Sequence, residues 1–297
     1  MATDQRILLL GCTGQVGWEL RRALAPLADL TAVDYPEVDF RHPASLGELV
    51  AQAQPDIIVN AVAYTNVDRA EHESEASRLI NADSPGELAR LAHDRGALLV
   101  HYSTDYVFDG RKGSPYTEPD PPNPLNTYGL SKLEGERSIQ AVDHPHLILR
   151  TSWVYSFRRP SFASKVRDWA RSRETVRVVV DQLGSPTWCR ALAETTALLL
   201  ARLGKDPLAA VDDKSGVYHL AGNGSASRYE FARALLAFDP EAELHRVRAL
   251  EEARTAEFPS PAERPTNTAL DCSKFEEAFS LRLPDWREAL RMALGAD

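Results

Sequence analysis

The sequence holds no C-x-x-C pair, no H-E-x-x-H and no block of five like charges, and each absence removes a class of protein. Its three cysteines, Cys12, Cys189 and Cys272, are odd in number and far apart. That excludes a disulfide framework and a zinc site, and leaves reduced, small apolar residues. Of eight histidines the only close pair, His144 and His146, flanks a proline at a turn and reads as structural. A formal charge of −9, with acids and bases interspersed, argues against a nucleic-acid or anionic-membrane surface. No apolar run approaches the roughly 18 residues of a membrane span. The opening MATDQRILLL has neither the charged n-region nor the cleavage site of a secretory signal. The expectation is a cytoplasmic protein that works on small molecules, with no membrane, nucleic-acid or metal partner.

What is present fits that expectation. At 297 residues and 43% hydrophobic content the chain can bury a large core in one big domain or two of moderate size. Short apolar runs alternate with helical patterns through the first half: RILLL, LTAVD, DIIVNAV, ALLVHYS and HLILRTS between amphipathic stretches. Continuous apolar strands separated by helices predict a parallel sheet covered on both faces, hence an α/β, Rossmann-type doubly wound fold. A helical stretch from Glu71 to Arg95 should bend or break at Pro85, and another helix should run from about Tyr128 to Ala141. Regularity loosens after Trp153. The expected division is a dinucleotide-binding domain over 1–155 and a smaller mixed α/β substrate-binding lobe over 156–297, some of whose segments return to the sheet.

Gly11, Gly14 and Gly17 form G-x-x-G-x-x-G between the first strand and the first helix. Such a turn needs positive φ, a backbone that comes close to a pyrophosphate, and a helix N-terminus with free N–H groups. The plain alternative is an ordinary glycine turn. Asp34 closes the second strand where an acid bonds adenosine ribose hydroxyls and disfavours a 2′-phosphate. Asp39 and Phe40 either hold the adenine or are loop residues.

In NTYGLSK, Tyr128 and Lys132 stand four positions apart on one helix face. An ammonium close to a phenol favours the phenolate and brings the tyrosine pKa down toward the working pH, as proton transfer requires. The structural alternative is a tyrosine packed on a lysine stem. VHYSTDYVFDG ends the fourth strand, where open α/β sheets bind ligands. There Ser103 or Thr104 can donate to a substrate oxygen, or cap local backbone.

With GCTGQVGWELRRAL, PDIIVNAVAYTNVDRAE, HYSTDYVFDG, PLNTYGLSKLEGE, RTSWVY, DQLGSPT and ERPTNTALD in order, the chain resembles the extended short-chain dehydrogenase/reductase family. Within it, the chain is similar to the dTDP-4-dehydrorhamnose reductases along nearly its whole length. The resemblance implies reduction of the 4-keto group of dTDP-4-dehydro-L-rhamnose to dTDP-L-rhamnose, a sugar donor for cell-surface polysaccharide. It implies NADPH as cofactor, with NADH possible. Carried over, Tyr128 protonates the C4 oxygen, Lys132 positions the ribose and tunes Tyr128, and Thr104 polarises the carbonyl. Gly11, Gly14, Gln15, Val16, Gly17, Asp34, Asp39, Phe40, Ala63, Tyr64 and Thr65 hold the cofactor, together with Tyr128 and Lys132. Val67, Thr104, Asp105, Tyr106, Trp153 and Arg264 line the dTDP-sugar site.

Two departures from the family pattern bear on the nucleotide. Ser161 replaces the usual asparagine, and Glu263 stands before Arg264 where an arginine is common. Some relatives join subunits through a magnesium ion held by carboxylates. Here Glu19 is present, but Arg190 and the tail ALGAD are poor replacements for the other acids, so the expectation is a monomer or weak homodimer without that metal. The competing readings are a non-catalytic regulatory subunit resembling the methionine adenosyltransferase beta subunit, and a reductase or epimerase of another nucleotide sugar.

Overall fold

The computed structural model describes residues 5–296. Six parallel strands make the central sheet: β1 (Arg6–Leu10), β2 (Asp29–Val33), β3 (Ile57–Asn60), β4 (Leu98–Thr104), β5 (His146–Thr151) and β6 (Gly216–His219). Their spatial order is β2-β1-β3-β4-β5-β6. The chain therefore reverses direction between β1 and β3, and a crevice opens there at the carboxyl ends.

Alternation along the strands explains why both faces are covered. Ile7 and Leu9 pack with Leu20 and Leu24 of helix α1 (Gln15–Leu24) and with Leu192 and Leu199 of the later helix Cys189–Arg202. Leu8 and Leu10 face the other way, onto Leu46, Val50, Leu88 and Ile139. A period of two thus feeds two cores from a single apolar run. A third core, built around Tyr155, Val166, Val176, Phe231 and Trp286, belongs to the second half of the chain. The same half returns β6 to the sheet edge beside β5.

The predicted bend at Pro85 is displaced. The structure places the irregularity one turn earlier, in a π-helical segment Leu79–Asp83, while Pro85 lies in the first turn of the helix Ser84–Arg95. The helix runs on from the π segment without a break, and the wider turn spares the carbonyl that the missing Pro85 N–H would have met. The wide turn carries the carbonyl of Asn81 toward helix Thr127–Gln140, where a Cβ on Gly135 would sit 2.0 Å from it. Among the described residues no helix is long and apolar enough to cross a membrane.

Candidate functional site

The first turn after β1 is built by contact, not by charge. Gly11 has φ +83°, and a Cβ on it would lie 2.9 Å from the backbone of Ala61 at the end of β3. A Cβ on Gly17 would lie 1.9 Å from the Gly11 carbonyl oxygen. These two glycines close the turn and seat α1 on it. Gly14 differs: its backbone is extended, and an added Cβ would meet only Gly11 O, at 3.4 Å. It heads a helix whose N-terminus no side chain caps, which leaves first-turn N–H groups aimed outward.

Gly14, Gln15, Val16, Ala63, Thr65, Thr104, Asp105, Tyr128, Lys132 and Trp153 line one cleft of about 600 Å³. Asp34, Asp39, Phe40 and Tyr64 line a second depression of about 410 Å³ with Tyr35 and Arg41. The segment Ala61–Thr65 sends alternate residues into each. Asp34 accepts from the Thr13 N–H (2.9 Å), the Thr13 hydroxyl (2.7 Å) and the Tyr35 N–H (2.8 Å), so it ties the glycine loop to β2. Asp39 is clamped by the Arg41 guanidinium, which lowers its carboxyl to about 2. Phe40 is buried in the core beside Val38 and Leu46. Tyr64 donates its hydroxyl to Glu73 at 2.6 Å and its N–H to Asn81.

Helix Thr127–Gln140 presents Tyr128 and Lys132 to the cleft. Asn126 caps it, accepting from the Gly129 N–H at 2.9 Å, and donates across to the Glu263 carbonyl at 2.8 Å. Thr104 and the Tyr128 phenol line the cleft together. One sequence expectation needs correction. Lys132 Nζ donates to the Tyr102 carbonyl (2.6 Å) and meets His101 Nε2 (3.0 Å), so its bonded partners lie on the strand and not at the phenol. Burial pushes the phenol's pKa up, and the Thr104 hydroxyl offsets only part of that rise. Lys132, 1% exposed, is the group brought toward neutrality, its ammonium lowered to about 8 by burial. Spacing fixed the shared face; the long lysine side chain turned to the strand instead of the phenol.

Around the rest of the cleft, Asp105 accepts from Ser152 (2.8 Å), Thr268 and Thr104, and burial raises its carboxyl. Tyr106 lies edge-on to Tyr128, with ring centroids 5.7 Å apart. Trp153 holds φ +45°, a conformation costing a bulky residue on the order of 1–2 kcal/mol. Its indole covers Gly184, where a Cβ would come within 2.4 Å, and the Arg228 guanidinium lies 3.5 Å from its ring centroid. The Arg228 charge also acts on the buried Tyr106 phenol, opposing the rise that burial gives its pKa. Arg264 pairs with Asp68 at 2.8 Å, beside Val67 at the start of the turn Val67–Ala70, so these two lie outside the residues lining the main cleft. Ser161 caps helix Phe162–Ser172 through Ser164 and the Glu263 side chain is exposed. Neither departure from the family pattern displaces a group that lines the cleft.

Gly184→Ala tests the Trp153 support. Gly184 does not have positive φ, so the methyl acts only by displacing the indole. The expected result is a sugar KM raised about tenfold with cofactor KM unchanged, read by steady-state kinetics with each substrate varied in turn.

Sequence reasoning missed three residues. Arg228 begins a helix that reads as amphipathic, and nothing in RYEFARALLAF marks it. His101 and Asn60 sit in apolar strands where a lone polar residue reads as a satisfied core group; only HY before STDY places His101 three residues before Thr104 on the same strand. Asn60, His101 and Lys132 form a continuous buried chain.

A dinucleotide fits these residues. Gly14 leaves open space where any side chain would intrude, and Gln15 Oε1 and Thr151 Oγ1, both in the cleft, are buried without a hydrogen-bond partner among the described residues. Phosphate oxygens suit the N–H groups of α1, and ribose hydroxyls suit the orphaned acceptors and Lys132.

The family model for the RmlD substrate binding domain matches residues 5–296. The dTDP-4-dehydrorhamnose reductase of Escherichia coli strain K12 is 42% identical over 293 residues, covering 97% of this chain and 96% of the relative. That of Burkholderia thailandensis is 41% identical, covering 97% and 98%. The crystal structure of dTDP-4-dehydrorhamnose reductase from Bacillus anthracis in complex with NADP superposes with a TM-score of 0.86 at 31% identity, covering 98% of each chain. By a match that leaves almost no residue outside it, the chain belongs to the RmlD substrate binding domain family.

Proposed function

We propose that the protein reduces the 4-keto group of dTDP-4-dehydro-L-rhamnose to dTDP-L-rhamnose, using NADPH with NADH as a substitute. It works in the cytoplasm as a monomer or weak homodimer. The observation that carries this reading is the arrangement at one cleft: a phenol kept protonated by burial, the Thr104 hydroxyl and a buried lysine lining the same space, and an uncapped helix N-terminus opened by Gly14.

A bound reduced nicotinamide would supply hydride to C4. The protein's part is to hold the ketone and provide the proton. Tyr128, kept neutral by burial, donates its O–H to the C4 oxygen as negative charge develops there. Thr104, whose hydroxyl now points to Asp105 at 3.2 Å, donates a second hydrogen bond that strengthens as that charge grows. Trp153 offers an aromatic face to the sugar, with Asp105, Tyr106 and Val67 beside it, and Arg264 with Arg228 supplies positive charge for the diphosphate. Gly11, Gly14, Gln15, Val16, Gly17, Ala63, Thr65 and Lys132 hold the nicotinamide half. Asp34, Asp39, Phe40 and Tyr64 hold the adenosine half.

NADPH is supported by the NADP complex of the Bacillus anthracis relative. The three hydrogen bonds made to Asp34 occupy its carboxylate oxygens, which leaves it less free to select the ribose hydroxyls of NADH. Assembly of Thr104, Tyr128 and Lys132 at one cleft favours an enzyme over a regulatory subunit, which has no use for a proton donor. The test is to mix the protein with NADPH and dTDP-4-dehydrorhamnose and identify the sugar by NMR. The expected product is dTDP-L-rhamnose with one NADPH consumed per sugar; an unreacted ketone with NADPH intact would refute the reading.

A further inference from the structure

The buried chain behind Lys132 has a direction that its hydrogen bonds dictate. Val62 N–H donates to Asn60 Oδ1 at 3.0 Å, and a backbone N–H can only donate. The carboxamide orientation is thereby set, and Asn60 Nδ2 is the atom 3.0 Å from His101 Nδ1. Nδ2 donates, so Nδ1 is the bare nitrogen of the ring. Burial alone is enough to hold the imidazole neutral, its pKa well below 6.5. A neutral ring with a bare Nδ1 carries its proton on Nε2. That N–H faces Lys132 Nζ across 3.0 Å.

An ammonium would put two donors against each other there. Flipping the Asn60 amide does not remove the conflict, since it sets the NH₂ group against the Val62 N–H. A neutral amine resolves every contact: its lone pair accepts from His101 Nε2–H, one N–H donates to the Tyr102 carbonyl at 2.6 Å, and one N–H is left for the cleft. Asn60 and His101 are 0% exposed and Lys132 is 1% exposed, so no solvent is at hand to relieve a mismatch.

We propose that His101, oriented by Asn60, is a positioning residue that offers an N–H to Lys132 Nζ, favours the neutral amine, and so readies Lys132 to release a proton beside Tyr128. The inference deepens the ketoreductase reading and rests on it for the use made of that proton, while the bond directions stand without it. The other groups around Lys132 do not oppose it. From its own helix come Tyr128 and Glu136; Glu136 is the one group that favours the ammonium, and Arg150 of β5 holds it bidentate at 2.6 and 2.9 Å. From the turn after β4 comes Asp105, bonded to three hydroxyls. On the neighbouring helices Asp68 pairs with Arg264, Arg69 with Glu73, Arg78 with Asp83, and Glu87 with Arg90.

Two measurements on the intact protein test this without any turnover. Nitrogen-15 NMR of the ring, with His101 assigned by its loss in His101→Gln, should show a bare Nδ1 and a protonated Nε2 from pH 6 to 9, a range spanning the ordinary histidine pKa of about 6.5. A protonated Nδ1 would overturn the proposal. Carbon-13 NMR of the Lys132 Cε, assigned by its loss in Lys132→Met, follows the amine's own titration. Asn60→Asp puts an acceptor against Nδ1, moves the ring proton there and bares Nε2; His101→Gln can turn an amide oxygen to Nζ. Either change should raise the Lys132 midpoint by about one pH unit, a tenfold weaker acid. An unmoved midpoint in a variant that keeps the wild-type methyl spectrum would overturn the proposal. If no sugar product forms while both NMR results hold, the ketoreductase reading fails and the chain of bonds does not.

Discussion

Tyr128→Phe should lower kcat by about 10² to 10⁴ while the dissociation constant for NADPH stays within about twofold. The substitution removes one oxygen and leaves the ring, so the edge-on packing against Tyr106 and the capped start of its helix are unaffected. What is lost is the phenol hydroxyl that shares the cleft with Thr104. A loss of that size is about 3 to 5 kcal/mol of transition-state stabilisation, far above the roughly 0.5–1.5 kcal/mol that an ordinary hydrogen bond contributes to folding. It should therefore appear in turnover and not in melting temperature. Single-turnover NADPH oxidation and fluorescence titration of the cofactor separate the two quantities. Turnover near that of the parent protein would remove Tyr128 from the mechanism.

The raised pKa of this phenol also fixes the sign of its pH dependence. Ketone reduction consumes the proton on Tyr128, so the reactive form is the neutral one. Burial keeps that form populated as pH rises past the ordinary tyrosine range. Reduction should thus hold its rate until Lys132 loses its proton near 8, while the reverse oxidation, which needs a proton acceptor, gains as pH rises. A lysine lowered to about 8 is the group in the cleft that changes charge there.

How much of this was legible in the sequence depends on what kind of information each feature needs. Gly11, Gly14 and Gly17 could be read because a turn geometry demands glycine at fixed spacing, and Tyr128 and Lys132 because a helix puts i and i+4 on one face. The parallel sheet followed from unbroken apolar strands. Where Lys132 ends was not legible. A four-carbon side chain reaches either the phenol or the strand, and only the placement of His101 and the Tyr102 carbonyl decides between them. Arg228 reaches the Trp153 ring from 75 residues further along the chain, a contact that no local pattern encodes. The π turn at Leu79–Asp83 escaped because Pro85 is the obvious breaker, while the actual irregularity lies in the turn before it, where the Asn81 carbonyl meets Gly135.

Gly129→Ala is expected to have the second large effect, a fall in kcat/KM of about 10², although by helix propensity alone alanine should stabilise the position by about 1 kcal/mol. The conflict between those two numbers is what makes the variant informative. Gly129 sits in the first turn of the Tyr128 helix, and a Cβ there would lie 2.2 Å from the carbonyl oxygen of Tyr106 and 3.1 Å from Pro124. Backbone cannot yield as a flexible side chain can, so helix and turn must separate by about an ångström or more to reach ordinary van der Waals distance. That turn runs on directly from Thr104 and Asp105. Moving it away from the helix parts Thr104 from the Tyr128 phenol, and a displacement of that size at reacting groups is enough for the stated loss. Cofactor binding, which depends on the β1 turn on the other side of the cleft, should change little. Kinetics with both substrates, together with a crystal structure of the variant, would decide the matter. Unchanged kcat/KM with a more stable fold would show that the close contact between Gly129 and Tyr106 does not position the proton donor.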